Sequence, residues 1–312
     1  MRRLAAAILA LALLAAPAAA NSLASIVVEK NGDVYFSDYV RDKIWKVSAG
    51  GELSVALANR HSYHLVQDPE GSIYGEHRSG RGGDVVIWRL DAEGRSQDVF
   101  RTARFGQAAS YRGTVFTIDP RGNLLYVRDC QIVRLGKDGG LVPITPNPCH
   151  ETAWTDPRVV YGHLHGSLAW GPDETLYFSD GLTIRRVLRD GTVTTLAGRP
   201  AVLFAEPGPG ETVFDSLTGL AVNAGGEVFA ADRSSRTILK FGRDGRRVVV
   251  ARLGMLSSPI GLAVSGDAVY VLLNLRFATP GFLSGVVGNP TLKKLSASGR
   301  LTTVSTVRVR TR

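Results

Sequence analysis

The stretch from Leu217 to Val250 constrains the fold more than any other part of this chain. Its four short apolar runs are separated by clusters of turn-forming residues, and they are Leu220 to Val222, Val228 to Ala231, Thr237 to Phe241 and Arg247 to Val250. Runs this short between Gly, Asp, Asn and Ser predict β-strands joined by tight turns. One four-stranded meander is too small to bury its own faces, so similar units must stack beside it.

Similar units recur at spacings of roughly 40 to 50 residues, a period typical of propellers and solenoids. Each holds an apolar strand, a turn and a second apolar strand; the five further copies contain SIVVEKNGDVYFSD, HLVQDPEGSIYGEH, TVFTIDPRGNLLYVRD, SLAWGPDETLYFSD and GLAVSGDAVYVLLN. The segments between them show no helical periodicity. The pattern predicts an all-β fold, a six-bladed β-propeller of four-stranded antiparallel blades over residues 21–312.

The way the ring closes can also be predicted. The first copy begins close to residue 21, which leaves no spare N-terminal strand to complete the last blade. We therefore expect every blade to be continuous in sequence. Closure should come from side-chain packing or from the tail between Val307 and Arg312.

The repeat also carries a resemblance. Residues 219–241, GLAVNAGGEVFAADRSSRTILKF, resemble the NHL repeat, and residues 192–222 are similar to its longer form, in which a T-L-A-G strand leads to the next G-L-A-V strand. Nearly all of the chain after residue 20 resembles six-bladed propellers of the NHL and SMP-30/gluconolactonase type. The resemblance implies the fold and leaves the activity open, because this scaffold hosts lactonases, lyases and binding modules.

The N-terminus predicts export. Residues 1–20 combine Arg2 and Arg3, an apolar run and Ala18 to Ala20, the features of a secretory signal peptide cleaved near Ala20. The mature protein should be secreted or periplasmic, without a membrane span, and monomeric. Losing both arginines lowers the basic residues from 37 to 35 against 28 acidic ones, a net charge of +7. No basic helix with interleaved aromatic residues appears, so we expect no nucleic-acid partner.

The chain has two cysteines, Cys130 and Cys149. An even pair in an exported chain suggests a disulfide, and two buried free thiols are the alternative. Both residues fall in connections on the same side of the predicted third blade. A bond between them would fix the segment that follows Cys149.

The predicted blades have two different faces. The turns between strands one and two and between strands three and four form the bottom face, and the remaining turns and the links between blades form the top face. The bottom turns, such as NGD, PEGS, PRGN and RDGT, should supply tight hairpins and nothing else. The top face carries the long connections and every histidine, namely His61, His64, His77, His150, His163 and His165. A functional site is therefore predicted on the top face.

Two histidine pairs are candidate metal ligands: His61 with His64, and His163 with His165. Imidazoles suit zinc and similar metals, and catalytic zinc sites keep one open position beside three protein ligands. A divalent metal, zinc or calcium, is thus a possible cofactor. The alternative is a set of surface histidines in loops, since such spacings recur widely.

The resemblance gives two sharper tests of enzymatic activity. The lactonases of the SMP-30 type hold a metal through Glu, Asn and Asp near inner-strand starts, where this chain has Leu23 to Ser25, Gly166 to Leu168 and Leu217 to Gly219. None of these stretches supplies the ligand. Peptidyl-hydroxyglycine lyases hold zinc with histidines at positions occupied here by Tyr63 and Gly166. His64 and His165 are each one residue out of register, which turns the side chain away in a regular strand.

Further polar residues of the top face are candidates for an unassigned site. Glu76, Tyr111 and Arg112 are catalytic candidates, and Tyr63, His77, Arg112 and Asp215 are ligand-binding candidates. Arg112 is suited to an anionic group, which a guanidinium holds by paired hydrogen bonds. The strand-end acids Asp38, Glu76, Asp129, Asp180 and Asp232 are more simply explained as structural acceptors for nearby turns.

These observations favour a binding protein over an enzyme. We expect an exported propeller that binds a protein, peptide or carbohydrate over its top face, because the top loops are elaborate and no complete catalytic set is visible. The alternative is a metal-dependent hydrolase or lyase that uses the two histidine pairs. The chain lacks the G-x-S-x-G, HExxH, Walker and dinucleotide-binding motifs.

Overall fold

The structure is a computed structural model that describes residues 25–38, 41–78, 84–102, 115–128, 131–136, 138–145, 167–179, 183–198, 217–233, 235–275 and 289–308. Over these ranges the regular structure consists of strands β1–β24, without an α-helix. Each successive group of four strands forms one antiparallel sheet, which confirms the predicted six-bladed β-propeller. No helix in the described ranges is long and apolar enough to cross a membrane.

The first three blades cover the N-terminal half of the described chain. Blade 1 comprises β1 (Ile26–Val28), β2 (Val34–Asp38), β3 (Lys43–Val47) and β4 (Leu53–Ala58). Blade 2 comprises β5 (Leu65–Gln67), β6 (Ile73–Arg78), β7 (Val85–Leu90) and β8 (Ser96–Thr102). Blade 3 comprises β9 (Phe116–Ile118), β10 (Leu124–Arg128), β11 (Gln131–Leu135) and β12 (Leu141–Pro143).

The last three blades follow the same order. Blade 4 comprises β13 (Leu168–Trp170), β14 (Leu176–Ser179), β15 (Thr183–Val187) and β16 (Val193–Gly198). Blade 5 comprises β17 (Leu217–Val222), β18 (Val228–Asp232), β19 (Thr237–Phe241) and β20 (Arg247–Arg252). Blade 6 comprises β21 (Ser257–Ser265), β22 (Ala268–Leu275), β23 (Thr291–Leu295) and β24 (Leu301–Thr306). The four strands predicted between Leu217 and Val250 are those of blade 5, with ends shifted by at most three residues.

The bottom hairpins use glycine where the backbone requires it. Gly299, in the turn between β23 and β24, has a φ of +81°, a conformation that residues with a side chain rarely adopt. A Cβ atom at this position would also lie 2.7 Å from the Val250 carbonyl oxygen of blade 5. Glycine thus allows the outer hairpin of blade 6 to approach its neighbour closely.

The hydrophobic core lies between neighbouring blades. Tyr35 on β2 of blade 1 packs with Leu65 and Ile73 of blade 2, and Tyr177 of blade 4 packs with Leu220 of blade 5. An aromatic residue occupies this position of the second strand in every blade except blade 3, as shown by Tyr35, Tyr74, Tyr177, Phe229 and Tyr270. Blade 3 has Leu125 there.

The ring closes by packing of blade 6 against blade 1. Phe36 of blade 1 shares a core cluster with Leu272 of blade 6 and with Val307, which follows the last strand. Arg41 donates a hydrogen bond across the same junction to Asn289 Oδ1 at 2.9 Å. Every blade is continuous in sequence, as predicted, and side-chain packing joins the first to the last.

The bottom face differs from the sequence-based expectation. A cavity of about 230 Å³ lies between blades 3 and 4, bordered by bottom turns and by Trp170. The turns form the tight hairpins that were predicted, whereas the space that they border was not predicted from the sequence. Core residues such as Leu125 and Trp170 line this cavity together with the turns.

Candidate functional site

The starts of the innermost strands surround a narrow central cavity of about 60 Å³. Hydroxyl groups at these starts link neighbouring blades: Ser25 Oγ donates to the Leu65 carbonyl at 3.2 Å, and Thr218 Oγ1 donates to the Pro259 carbonyl at 2.9 Å. Ser25 and Thr218 lie where the lactonase resemblance would place metal ligands. In this chain, Ser25 and Thr218 instead form hydrogen bonds between neighbouring blades.

His61 lies in the link from blade 1 to blade 2 and is oriented by a carboxylate. Its Nδ1 is 2.5 Å from Asp42 Oδ1, and its ring meets the Tyr63 ring edge-on with centroids 6.0 Å apart. Asp42 precedes β3 with a φ of +49°, and its carbonyl accepts a hydrogen bond from Arg60 N at 2.9 Å. The turn and the link are thus fastened to each other, which fixes the imidazole.

Arg60 connects this pair to His77 on β6. Its Nη1 donates to Asp98 Oδ1 at 2.8 Å and lies 3.4 Å from His77 Nδ1. Burial lowers the pKa of His77, and the positive charge of Arg60 lowers it further. A neutral His77 can accept a hydrogen bond from the guanidinium. We call Asp42, Arg60, His61, Tyr63 and His77 the top cluster.

Glu76 lies beside the top cluster and is fully buried. Its Oε1 accepts a hydrogen bond from Tyr63 N at 3.1 Å, and its Oε2 accepts one from His64 N at 3.2 Å. Removal from water raises the pKa of Glu76 to about 8, although these hydrogen bonds act in the opposite direction. No basic side chain pairs with Glu76 in the described part of the chain.

Ser62 contacts both the Glu76 carboxyl group and the backbone beside it. Ser62 Oγ lies 2.5 Å from both the His64 carbonyl and Glu76 Oε2, and it accepts a hydrogen bond from Glu76 N at 2.8 Å. A hydroxyl has one proton to donate. When it donates to the carbonyl, a protonated Glu76 carboxyl group can donate to Ser62 Oγ; when it donates to Oε2, it stabilises the carboxylate. The raised pKa of Glu76 favours the protonated form at pH 7, and its carboxyl group fixes the backbone carrying Tyr63 and His64.

The other described strand-end acids have structural roles, as expected. Asp38 is buried and accepts hydrogen bonds from Arg41 Nη1 at 2.9 Å and Trp45 Nε1 at 3.2 Å. Asp232 Oδ1 accepts one from Ser235 N at 3.2 Å. Asp38 has a cation beside it, whereas Glu76 has backbone amides and a serine.

The structure brings together part of the predicted site. Tyr63 and His64 both border the central cavity; the strand-alternation argument against His64 does not apply, because β5 begins only at Leu65. No group of three or more metal-ligating side chains is present among the residues described. The predicted Tyr111, Arg112, His163, His165, Asp215, Cys130 and Cys149 lie outside the described residues.

Three residues of this region were not predicted from the sequence: Asp42, Arg60 and Asp98. Each is a common charged residue in a turn, a link or an outer strand, and nothing in its local sequence distinguishes it. The only available signal is the sequence HSYH, because Ser62 separates two histidines at the point where the chain enters blade 2. Their function depends on contacts between segments far apart in sequence.

Comparison with known proteins shows the fold and not a family. No protein-family model matches the chain, and no curated protein matches it. A virginiamycin B lyase from Staphylococcus aureus superposes with a TM-score of 0.53 at 13% identity, over 92% of this chain and 84% of the lyase. A gluconolactonase from Xanthomonas campestris superposes with a TM-score of 0.55 at 16% identity, over 80% of this chain and 82% of the other.

A third similar structure is the calcium-binding protein regucalcin from Agrobacterium tumefaciens, with a TM-score of 0.52 at 14% identity over 82% of this chain and 83% of that protein. The chain therefore shares its propeller fold with gluconolactonase-like proteins and with a lyase. At these identities the likeness extends to the fold alone.

Proposed function

We propose that this protein is an exported propeller that binds a polar ligand, a protein, peptide or carbohydrate, at the top cluster. The observation that carries the proposal is the fixed geometry of Arg60 and His61. Arg60 is held by Asp98, and His61 is held by Asp42 at 2.5 Å beside the Tyr63 ring. Groups whose orientations are set before a ligand arrives lose little entropy on binding.

Among the three ligand classes, a carbohydrate matches the cluster best. The cluster combines acceptors on Asp42 and a neutral His77 with the donors of Arg60, and sugar hydroxyls both donate and accept hydrogen bonds. The partly exposed Tyr63 ring offers an apolar surface of the kind that binding sites use beside a few polar groups. Two similar structures, the gluconolactonase and an aldose sugar dehydrogenase from Streptomyces coelicolor, are named for sugar substrates.

Binding of the mature protein to a glycan array and to a peptide array tests this function. We expect carbohydrate hits whose affinity falls at least about tenfold in Arg60→Ala, because a hydrogen bond to a charged group contributes about 1.5–3 kcal/mol. Arg95→Ala is the control, since Arg95 lies in an outer bottom hairpin and is largely exposed. An absence of hits on both arrays, or hits that Arg60→Ala leaves unchanged, would exclude the top cluster as the binding site.

A metal-dependent hydrolase or lyase is the second candidate function. The contact between His61 and the Asp42 carboxylate favours it. Histidines that bind zinc commonly donate their other ring N–H to a carboxylate, which is the relation between His61 Nδ1 and Asp42. The described residues supply no group of three ligands, so this candidate depends on His163 and His165. In this second candidate function the cofactor is a divalent metal, zinc or calcium.

Metal analysis of the purified protein separates the two candidates. Stoichiometric zinc or calcium that is lost in both His64→Ala and His165→Ala supports the enzyme. Substoichiometric metal that neither substitution changes removes the second candidate and leaves the binding function intact.

A further inference from the structure

The third strand of every blade carries a basic residue at the same register position. These residues are Lys46, Arg89, Arg134, Arg186, Lys240 and Lys294. Each lies directly opposite the second-strand position that holds an aromatic ring in five blades and Leu125 in blade 3. The repeat therefore provides its own internal comparison for the environment of this cation.

In the other blades the cation has a partner. Lys46 forms an ion pair with Asp33 at 2.7 Å, and Lys240 forms one with Glu227 at 2.8 Å. Arg89 donates to Ser72 Oγ at 2.7 Å. Arg186 donates to Thr194 Oγ1 at 3.1 Å, and Lys294 lies over the Tyr270 ring, 5.6 Å from its centroid.

Blade 3 departs from this pattern in two ways. Arg134 is partly buried, and it forms no side-chain hydrogen bond or ion pair with the residues that the structure describes. The nearby Asp119 is buried, and its carboxylate accepts hydrogen bonds from Asn123 N at 2.7 Å and from Asn123 Nδ2 at 2.8 Å. The Asp119 carboxylate therefore bonds within its own turn. Blade 3 also lacks an aromatic ring opposite Arg134, because Leu125 occupies that position.

The space beside Leu125 and Arg134 is the bottom pocket, the cavity of about 230 Å³ between blades 3 and 4. Its apolar wall includes Ile144 and Trp170, and Arg189 stands at the exposed rim. The indole Nε1 of Trp170 is buried without an acceptor in the described part of the chain. The pocket thus combines an apolar wall with guanidinium groups that retain free donors.

We propose that the bottom pocket binds a small organic carboxylate that carries one ring. An apolar cavity of about 150 Å³ accommodates benzene, so the larger bottom pocket has room for a ring and a short charged group. Arg134 binds the carboxylate, since guanidinium groups match carboxylates in shape and charge. The ring takes the place that Tyr or Phe fills in the other five blades.

The proposal is independent of the top cluster, which lies on the opposite face. It also gives the bottom face a function that the short hairpin turns conceal. A free small molecule is favoured over a macromolecule because the contacts lie inside a confined space between two blades. The rim groups Arg121 and Glu174 already face each other at 3.5 Å.

Calorimetric titration of the full mature protein with phenylacetate tests this site. We expect one site with a dissociation constant of about 1 mM or tighter, the range in which small ligands with one charged group bind. Arg134→Gln should weaken binding at least about tenfold by removing a charge-assisted contact. Leu125→Tyr should abolish binding by filling the pocket with the ring that the other blades carry.

Arg89→Gln is the matched control, because it makes the same change at the same repeat position in a blade with its ring in place. It should leave phenylacetate binding unchanged. Benzyl alcohol and inorganic phosphate, titrated separately, should each bind at least about tenfold more weakly than phenylacetate, since each lacks one half of the ligand. No binding of phenylacetate, equal binding of either probe, or no effect of Arg134→Gln would overturn the proposal even if Leu125→Tyr failed to fold.

Discussion

The top cluster and the bottom pocket differ in how the protein treats their charged groups. At the top, Arg60 is bound by Asp98 and His61 by Asp42, so the protein itself fixes both side chains. At the bottom, Arg134 borders a cavity and lacks such a partner among the described residues. The top cluster presents side chains of fixed orientation at a surface. The bottom pocket instead offers an unfilled cavity and a positive charge that a ligand can pair with.

This difference means that the two regions must be identified in the sequence by different signals. The top is visible through residue types, because histidines gather in the links of a few blades. The bottom is visible only through a missing residue, since Leu125 stands where five other blades have Tyr or Phe. A departure from a repeat is informative only after the register of the repeat is known.

The largest effect that we predict concerns Glu76 beneath the top cluster. Its folded pKa of about 8 lies above its ordinary value of 4.5, so between these pH values the folded state keeps a proton that the unfolded state has lost. The contribution of Glu76 to stability is therefore complete below pH 4.5 and is lost as pH rises towards 8. A shift of this size corresponds to a loss on the order of 5 kcal/mol.

Urea unfolding of wild type and Glu76→Gln across pH 4 to 9 measures this contribution. The variant has a neutral side chain at every pH, so its free energy of unfolding should rise relative to wild type as pH increases. Glu70→Gln serves as control because Glu70 is exposed on a bottom turn of the same blade. Parallel pH profiles for wild type and Glu76→Gln would mean that Glu76 is ionised in the folded protein.

A smaller effect is expected when the ring is exchanged between blades 3 and 4. Tyr177→Leu removes a buried ring from the junction of blades 4 and 5 and should lower the free energy of unfolding by about 2 kcal/mol, as large-to-small core changes do. Leu125→Tyr introduces the same ring into the bottom pocket, where space exists. Its free energy of unfolding should change by less than about 1 kcal/mol, since no overpacking results.

Denaturant midpoints at constant m-value compare these two variants directly. A loss in Leu125→Tyr as large as that in Tyr177→Leu would show that the bottom pocket is closed to a ring. The comparison of blade 3 with the other blades would then no longer support ligand binding in the bottom pocket.

The fold was predictable from the sequence, and the site was predictable only in part, for a physical reason. Blade 5 repeats a pattern of local turns and apolar strands, so neighbouring residues determine its four strands between Leu217 and Arg252. The top cluster depends on pairs such as Arg60 with Asp98, which come together only after two strands of another hairpin are in register. His61 and Tyr63 were identifiable by type, whereas their partners Asp42 and Arg60 were not.

The smallest effect that we predict concerns the pKa of His77. Burial is the main cause that lowers it, and the charge of Arg60 is the second, so Arg60→Ala should raise the pKa of His77 towards 6.5 without restoring it fully. A proton NMR titration of the imidazole measures the change, with Arg95→Ala as the control for loss of a distant positive charge. A pKa of His77 that stays the same in Arg60→Ala would show that the guanidinium does not approach the ring in solution. The top cluster would then consist of two separate pairs, and the contrast with the bottom pocket would rest on His61 and Asp42 alone.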